Sequence, residues 1–189
     1  MNSKNGGKQH GFISSAKECA YIAVFVALVI AAQAMLSSLP NVEVVSVLFI
    51  SYAFVFGWKR GMLSATVFAL LRQFLFGFYP TVLILYLTYF NILALLFGLI
   101  GQFTKKKICV FPLIVLLATV CAVGFTLFDN MLTPLWYGYS QRATQLYIKA
   151  SLPFMASHVF SVAISVGILF LPLSRAFEVI SFLLNIKKK

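Results

Sequence analysis

The stretch KECAYIAVFVALVIAAQAMLSS, residues 17–38, decides the fold. After Glu18 it is apolar for some five helical turns, long enough for a helix to cross the ~30 Å hydrocarbon core of a bilayer. Within it Ala23, Ala27 and Ala31 recur every four residues, with Ala16 and Ala20 on the preceding turns. That spacing puts small side chains on one side of a helix, while Tyr21, Phe25, Leu28 and Ile30 occupy others. Lipid tails are as apolar as leucine, so membrane helices associate where small residues let backbones approach. The alanine stripe (Ala20, Ala23, Ala27, Ala31) is a candidate docking face for a partner, or a packing face inside the bundle.

Composition extends the membrane reading to the whole chain. The 189 residues are 61% hydrophobic with mean hydropathy +0.97, and only 10% are charged, which a soluble domain of this size could not bury. One domain is expected, an all-α integral membrane protein with six transmembrane helices at about 17–38, 43–57, 61–77, 80–103, 109–129 and 152–173. The second and third are short for a perpendicular span. Ser37-Ser38-Leu39-Pro40 leads straight into the next apolar run, so the first segment reads as a retained helix rather than a cleaved signal.

The formal charge of +11 does not indicate nucleic acid, because the basic residues cluster at the ends of apolar runs. With the N-terminus in the cytoplasm, twelve lysines and arginines fall inside (Lys4, Lys8, Lys17, Lys59, Arg60, Lys105, Lys106, Lys107, Arg175, Lys187, Lys188, Lys189). Arg142 and Lys149 fall outside and Arg72 lies within a span. This asymmetry places both termini in the cytoplasm, with residues 174–189 as a basic cytoplasmic tail. The Gly57–Gly61 segment is expected as a tight inner turn, and Asn130–Ser151 as a long outer loop, an aromatic belt or a lid over a site. Cys19, Cys109 and Cys121 are odd in number and lack metal-ligand spacing, so they read as apolar fillers.

Catalytic signatures are missing: there is no G-x-x-x-x-G-K-[ST] loop, no H-E-x-x-H and no nucleophile elbow. The polar residues instead gather at the predicted outer helix ends. These are Asn41 and Glu43, Arg72 and Gln73, Tyr86, Tyr89 and Asn91, Asp129 and Asn130, and Ser157, His158 and Ser161, with Trp136 in the outer connection. Asn41, Glu43, Arg72, Tyr86, Tyr89, Asp129, Trp136 and His158 form the candidate substrate-binding set, a polar cup rimmed by aromatic rings. Arginine at a helix centre costs about 2.5–3.5 kcal/mol on insertion scales, so Arg72 is expected at an interface, a carboxylate or a ligand. Each residue also has a plainer role: Arg72 snorkelling, His158 packing, Glu43 facing a helix dipole. Asp129 ends a helix, where the dipole gives no help, so a partner such as Arg72, Arg142 or Lys149 is expected.

Three local features then resemble the substrate-binding (S) components of energy-coupling factor (ECF) transporters, and the resemblance covers nearly the whole chain. They are the Ala23-x-x-x-Ala27-x-x-x-Ala31 stripe, the Leu39-Pro40-Asn41-Val42-Glu43-Val44-Val45 stretch with Phe56-Gly57 closing its helix, and Pro153-Phe154-Met155-Ala156-Ser157-His158. The last is similar to a Pro-Phe-Asp-x-x-His pattern, with Met155 standing where the pattern has an acid. The resemblance implies a vitamin-binding subunit of a bacterial cell membrane that topples in the bilayer to deliver its ligand. Its partners would be a coupling transmembrane subunit and two ABC-type ATPases, which use ATP and Mg; no cofactor is expected in this chain. The Pro-Asn-Val-Glu group points first to cobalamin, with riboflavin, folate, pyridoxine and pantothenate as alternatives. The competing expectations are a membrane scaffold or assembly factor packing through its alanine face, and a channel or secondary carrier. The last would need polar residues through the full membrane depth.

Overall fold

The computed structural model describes residues 16–36, 43–104 and 107–183, so Asn41 and the lysines at 4, 8, 105, 106 and 187–189 lie outside the described residues. The described chain is all helix: α1 (Ala16–Leu36), α2 (Val45–Phe56), α3 (Trp58–Phe76), α4 (Pro80–Phe103), α5 (Lys107–Trp136) and α6 (Gln141–Leu183). Four of these, α1, α4, α5 and α6, are long and apolar enough to cross a membrane. The chain is therefore compatible with a multi-pass membrane protein.

Helix α2 is the pillar of the bundle. All twelve of its residues are buried. A helix apolar on every side has no face for water and is stable only when wrapped by others. Phe25 of α1 stacks on Tyr52 at 3.8 Å between ring centroids, and Phe49 meets Phe68 of α3 at 5.2 Å and Phe90 of α4 at 4.8 Å. Phe54 meets Phe170 of α6 edge-on at 5.3 Å, and α5 packs outside, against α4 and α6. These contacts fix the directions. Along α2, Ser46 meets Tyr89 and Phe54 meets Gly101 of α4, while Glu43, just before α2, meets Ser161 and Phe54 meets Phe170 of α6, so α2, α4 and α6 run parallel. Glu18 with Arg60, and Lys107 with Glu178, show α1, α3 and α5 running the opposite way.

Short connections make this alternation possible. Gly57 alone separates α2 from α3; its φ of +91° is a conformation only glycine adopts freely, and its N–H donates to Ala53 O at 2.8 Å. Trp58, Lys59 and Arg60, expected in the turn, are the first helical turn of α3 instead. Beside this elbow α4 comes very close: a Cβ at Gly101 would lie 2.1 Å from the Phe54 carbonyl oxygen, and one at Gly98 2.4 Å from the Trp58 backbone. Only glycine permits that approach.

The long outer loop expected at Asn130–Ser151 is not present. Helix α5 continues to Trp136 and α6 begins at Gln141, leaving a turn of four residues. Gly138 turns the chain with φ +64°, Tyr139 N–H donates to Pro134 O at 2.9 Å, and Ser140 Oγ accepts from Ala143 N–H at 3.3 Å. Ser140 is thus an ordinary N-cap. At about 1.5 Å per residue, the 43 residues of α6 extend some 65 Å, twice the ~30 Å of a bilayer core. An α6 that crosses a membrane would extend past the lipid, which fits the polar residues that made residues 141–151 and 174–183 read as loop and tail. The segment from residue 174, expected as a tail, is helical through Leu183.

Large side chains left exposed on the outer helices, including Val24, Phe74, Leu116, Phe160 and Ile168, suit a lipid surround. Arg60 is the contrary case: only 8% exposed, it is held at 2.6 Å by Glu18. Lys59, Arg60, Lys107 and Arg175 share one end of the bundle, and Arg142 and Lys149 lie toward the other.

A candidate ligand cavity at one end of the bundle

At the end opposite the Glu18–Arg60 pair, the starts of α2, α4 and α6 and the end of α5 surround a cavity of about 490 Å³. Glu43 contributes from just before α2, Tyr86, Tyr89 and Phe90 from α4, and Phe125, Thr126 and Asp129 from α5. Tyr147, Ala150, Ser151, Phe154 and His158 line it from α6. The volume lies in the usual range for small-molecule sites, ~300–1,000 Å³.

Glu43 is fixed from three directions. Its N–H donates to Ser161 Oγ at 2.9 Å, its Oε2 accepts from Ser46 N–H at 3.2 Å, and its Oε1 lies 3.5 Å from His158 Nε2. The carboxylate thus satisfies an orphan donor in the first turn of α2, faces the positive end of that helix, and links it to α6. The dipole role and the cavity role expected of this residue coexist.

The aromatic wall is continuous across helices. Tyr89 and Phe125 are 4.7 Å apart between centroids, and Phe125 and His158 are 5.5 Å apart. Tyr89 also shares a 3.3 Å hydrogen bond with Ser46, which orients its ring from below. Tyr86 is fixed by Gln33 of α1, whose Nε2 donates to the phenolic oxygen at 3.2 Å. Arg72 does not line the cavity. Its guanidinium carbon lies 4.5 Å from the Tyr86 ring centroid and 5.2 Å from that of Phe76, within cation–π range of both.

Asp129 departs from expectation. Neither Arg72, Arg142 nor Lys149 pairs with it; Oδ1 accepts from Thr133 Oγ1 at 2.7 Å and Oδ2 from Tyr147 Oη at 2.8 Å. Helical spacing explains the first contact, since residues 129 and 133 are one turn apart. The second follows from the tight turn, which folds the start of α6 back along α5. Trp136, one of the candidate set, is not among the lining residues and stands 52% exposed on the last turn of α5. Asn41 lies outside the described residues.

The structure therefore brings together Glu43, Tyr86, Tyr89, Asp129 and His158, with Arg72 one ring behind. Sequence reasoning missed Phe90, Phe125, Thr126, Ser151 and Phe154 as lining groups and placed Tyr147 in a loop. Phe125 had a usable signal: it precedes Asp129 by four residues and so shares its helix face. Tyr147 had none, because its position depends on how α6 packs on α5.

On α1, Ala20, Ala23, Ala27 and Ala31 are all exposed, together with Val24 and Leu28, while Ile22, Phe25, Val26 and Val29 are buried. Among the described residues, the stripe is thus the open side of α1 and the core is met by the other. Compared with protein-family models, curated proteins and solved structures, the chain matches none.

Proposed function

We propose that this chain is the substrate-binding component of an ECF-type vitamin transporter, with six spans, both termini in the cytoplasm of a bacterial cell and the cavity opening outward. The observation that carries the reading is the cavity itself. Five of the eight expected binding residues line it, at the bundle end away from the basic cluster. A packing scaffold would have no reason to gather two carboxylates, an imidazole and six aromatic side chains around open space.

The exposed alanine face of α1 supports a second part of the proposal. It would dock on a coupling transmembrane subunit, and two ABC-type ATPases would supply the energy through ATP and Mg. Toppling of the bundle would then carry the cavity to the cytoplasm. A space of about 490 Å³ would hold a vitamin of one or two fused rings whole, and a corrinoid such as cobalamin with part of it outside the mouth.

Native mass spectrometry of the purified chain tests the binding role. A single small molecule retained at a one-to-one ratio is expected. A chain that carries none, and whose unfolding temperature no vitamin raises, is the result that supports the scaffold instead.

A further inference from the structure

We infer, on the footing of that transport reading, that the ligand is an organic cation borne on a flat aromatic or heteroaromatic system of one or two fused rings. Two carboxylates, Glu43 and Asp129, line the cavity, and among the described residues no lysine or arginine does. Glu43 has His158 at 3.5 Å. Asp129 has, among the described residues, two hydroxyl donors, Thr133 and Tyr147, which stabilise its charge without neutralising it. Each carboxylate oxygen accepting one hydrogen retains a free lone pair, so Asp129 keeps acceptor capacity toward a ligand.

The walls favour the same ligand. Tyr86, Tyr89, Phe125 and Phe154 present rings around the acids. Ring faces are negative and attract cations, more strongly where water is displaced. The same rings stack on a flat heterocycle. The Arg72 guanidinium lies over the Tyr86 ring rather than in the cavity lining, so the lining itself stays acidic.

Titration calorimetry on the full-length purified chain, near neutral pH, with three probes of one shape tests the inference. The probes are N-methylquinolinium (cation), quinoline (neutral) and quinoline-2-carboxylate (anion). The cation is expected to bind about tenfold or more tightly than the anion, and Asp129→Asn to weaken the cation by about tenfold while changing quinoline little. Glu43→Gln, read the same way, serves if Asp129→Asn does not fold. An anion that binds as tightly as the cation, a cation affinity unchanged in the variant, or no binding of the cation overturns the inference. The transport reading fails separately: a neutral or anionic molecule recovered by native mass spectrometry leaves it standing and removes only the cation.

Discussion

The hydroxyl of Tyr147 on α6 donates to Asp129 Oδ2 on α5 at 2.8 Å, joining the two longest helices across their shared turn at the cavity wall. A hydrogen bond to a charged acceptor contributes about 1.5–3 kcal/mol when well buried, and less here because the pair is only partly buried. Tyr147→Phe is expected to lower stability by about 1 kcal/mol and to loosen the start of α6. Thermal unfolding and hydrogen exchange over residues 141–151 measure the two effects. An unchanged exchange rate there would show that the turn, not this bond, holds the helices together.

Glu18 and Arg60 form a long-range polar link at the opposite end of the bundle, with side chains only 12% and 10% exposed. Removing one member of a buried pair leaves a charge without its partner, at a cost of about 3–5 kcal/mol in the fully buried limit. Glu18→Leu and Arg60→Met are each expected to be clearly destabilising. The double variant is expected to be less harmed than either single one, because no charge remains buried. Unfolding midpoints of the three variants decide this; a double variant worse than both singles would contradict it.

Gly101 permits the approach of α4 to α2, since an added Cβ would meet the Phe54 carbonyl oxygen at 2.1 Å. Gly101→Ala must push the helices apart and is expected to destabilise by about 1–3 kcal/mol, in the range of overpacked cores. Gly124 is the internal control, because a Cβ there meets nothing within 4 Å. Gly124→Ala is expected to be neutral or stabilising by a few tenths of a kcal/mol through helix propensity. Equal effects at the two sites would refute the close-approach argument.

Ala27 lies mid-stripe on the exposed side of α1. Ala27→Trp therefore adds bulk on a side that is exposed among the described residues. Unfolding temperature and ligand binding are expected to stay unchanged, while co-purification with a coupling transmembrane subunit is lost. Retained co-purification would move the docking face elsewhere.

Much of the architecture was legible because a membrane imposes simple rules on sequence. Long apolar runs become helices since no backbone polar group can be left unpaired in lipid. Those rules located α1 and α4 almost to the residue. They failed at Asn130–Ser151, where helices leave the lipid and water permits polar side chains on every face, so composition no longer separates helix from loop. They also misplaced Arg60, whose burial depends on Glu18 arriving from another helix 42 positions away.

The candidate site divides in the same way. Sequence by itself determined which side of the apolar middle would be polar, because ionisable groups are costly there and so fall toward the ends of the apolar runs, as Glu43, Asp129 and His158 do, although the helices carrying Asp129 and His158 continue well beyond them. Only the tertiary structure decided which of these meet. It closed a cavity around those three with Tyr86, Tyr89 and Tyr147, turned Trp136 away and put Arg72 behind a ring. It also gave Asp129 hydroxyl partners in place of a cation. Such pairings depend on helix rotation and on the geometry of a four-residue turn, set by packing between segments distant in the chain, which hydrophobic periodicity within one segment does not encode.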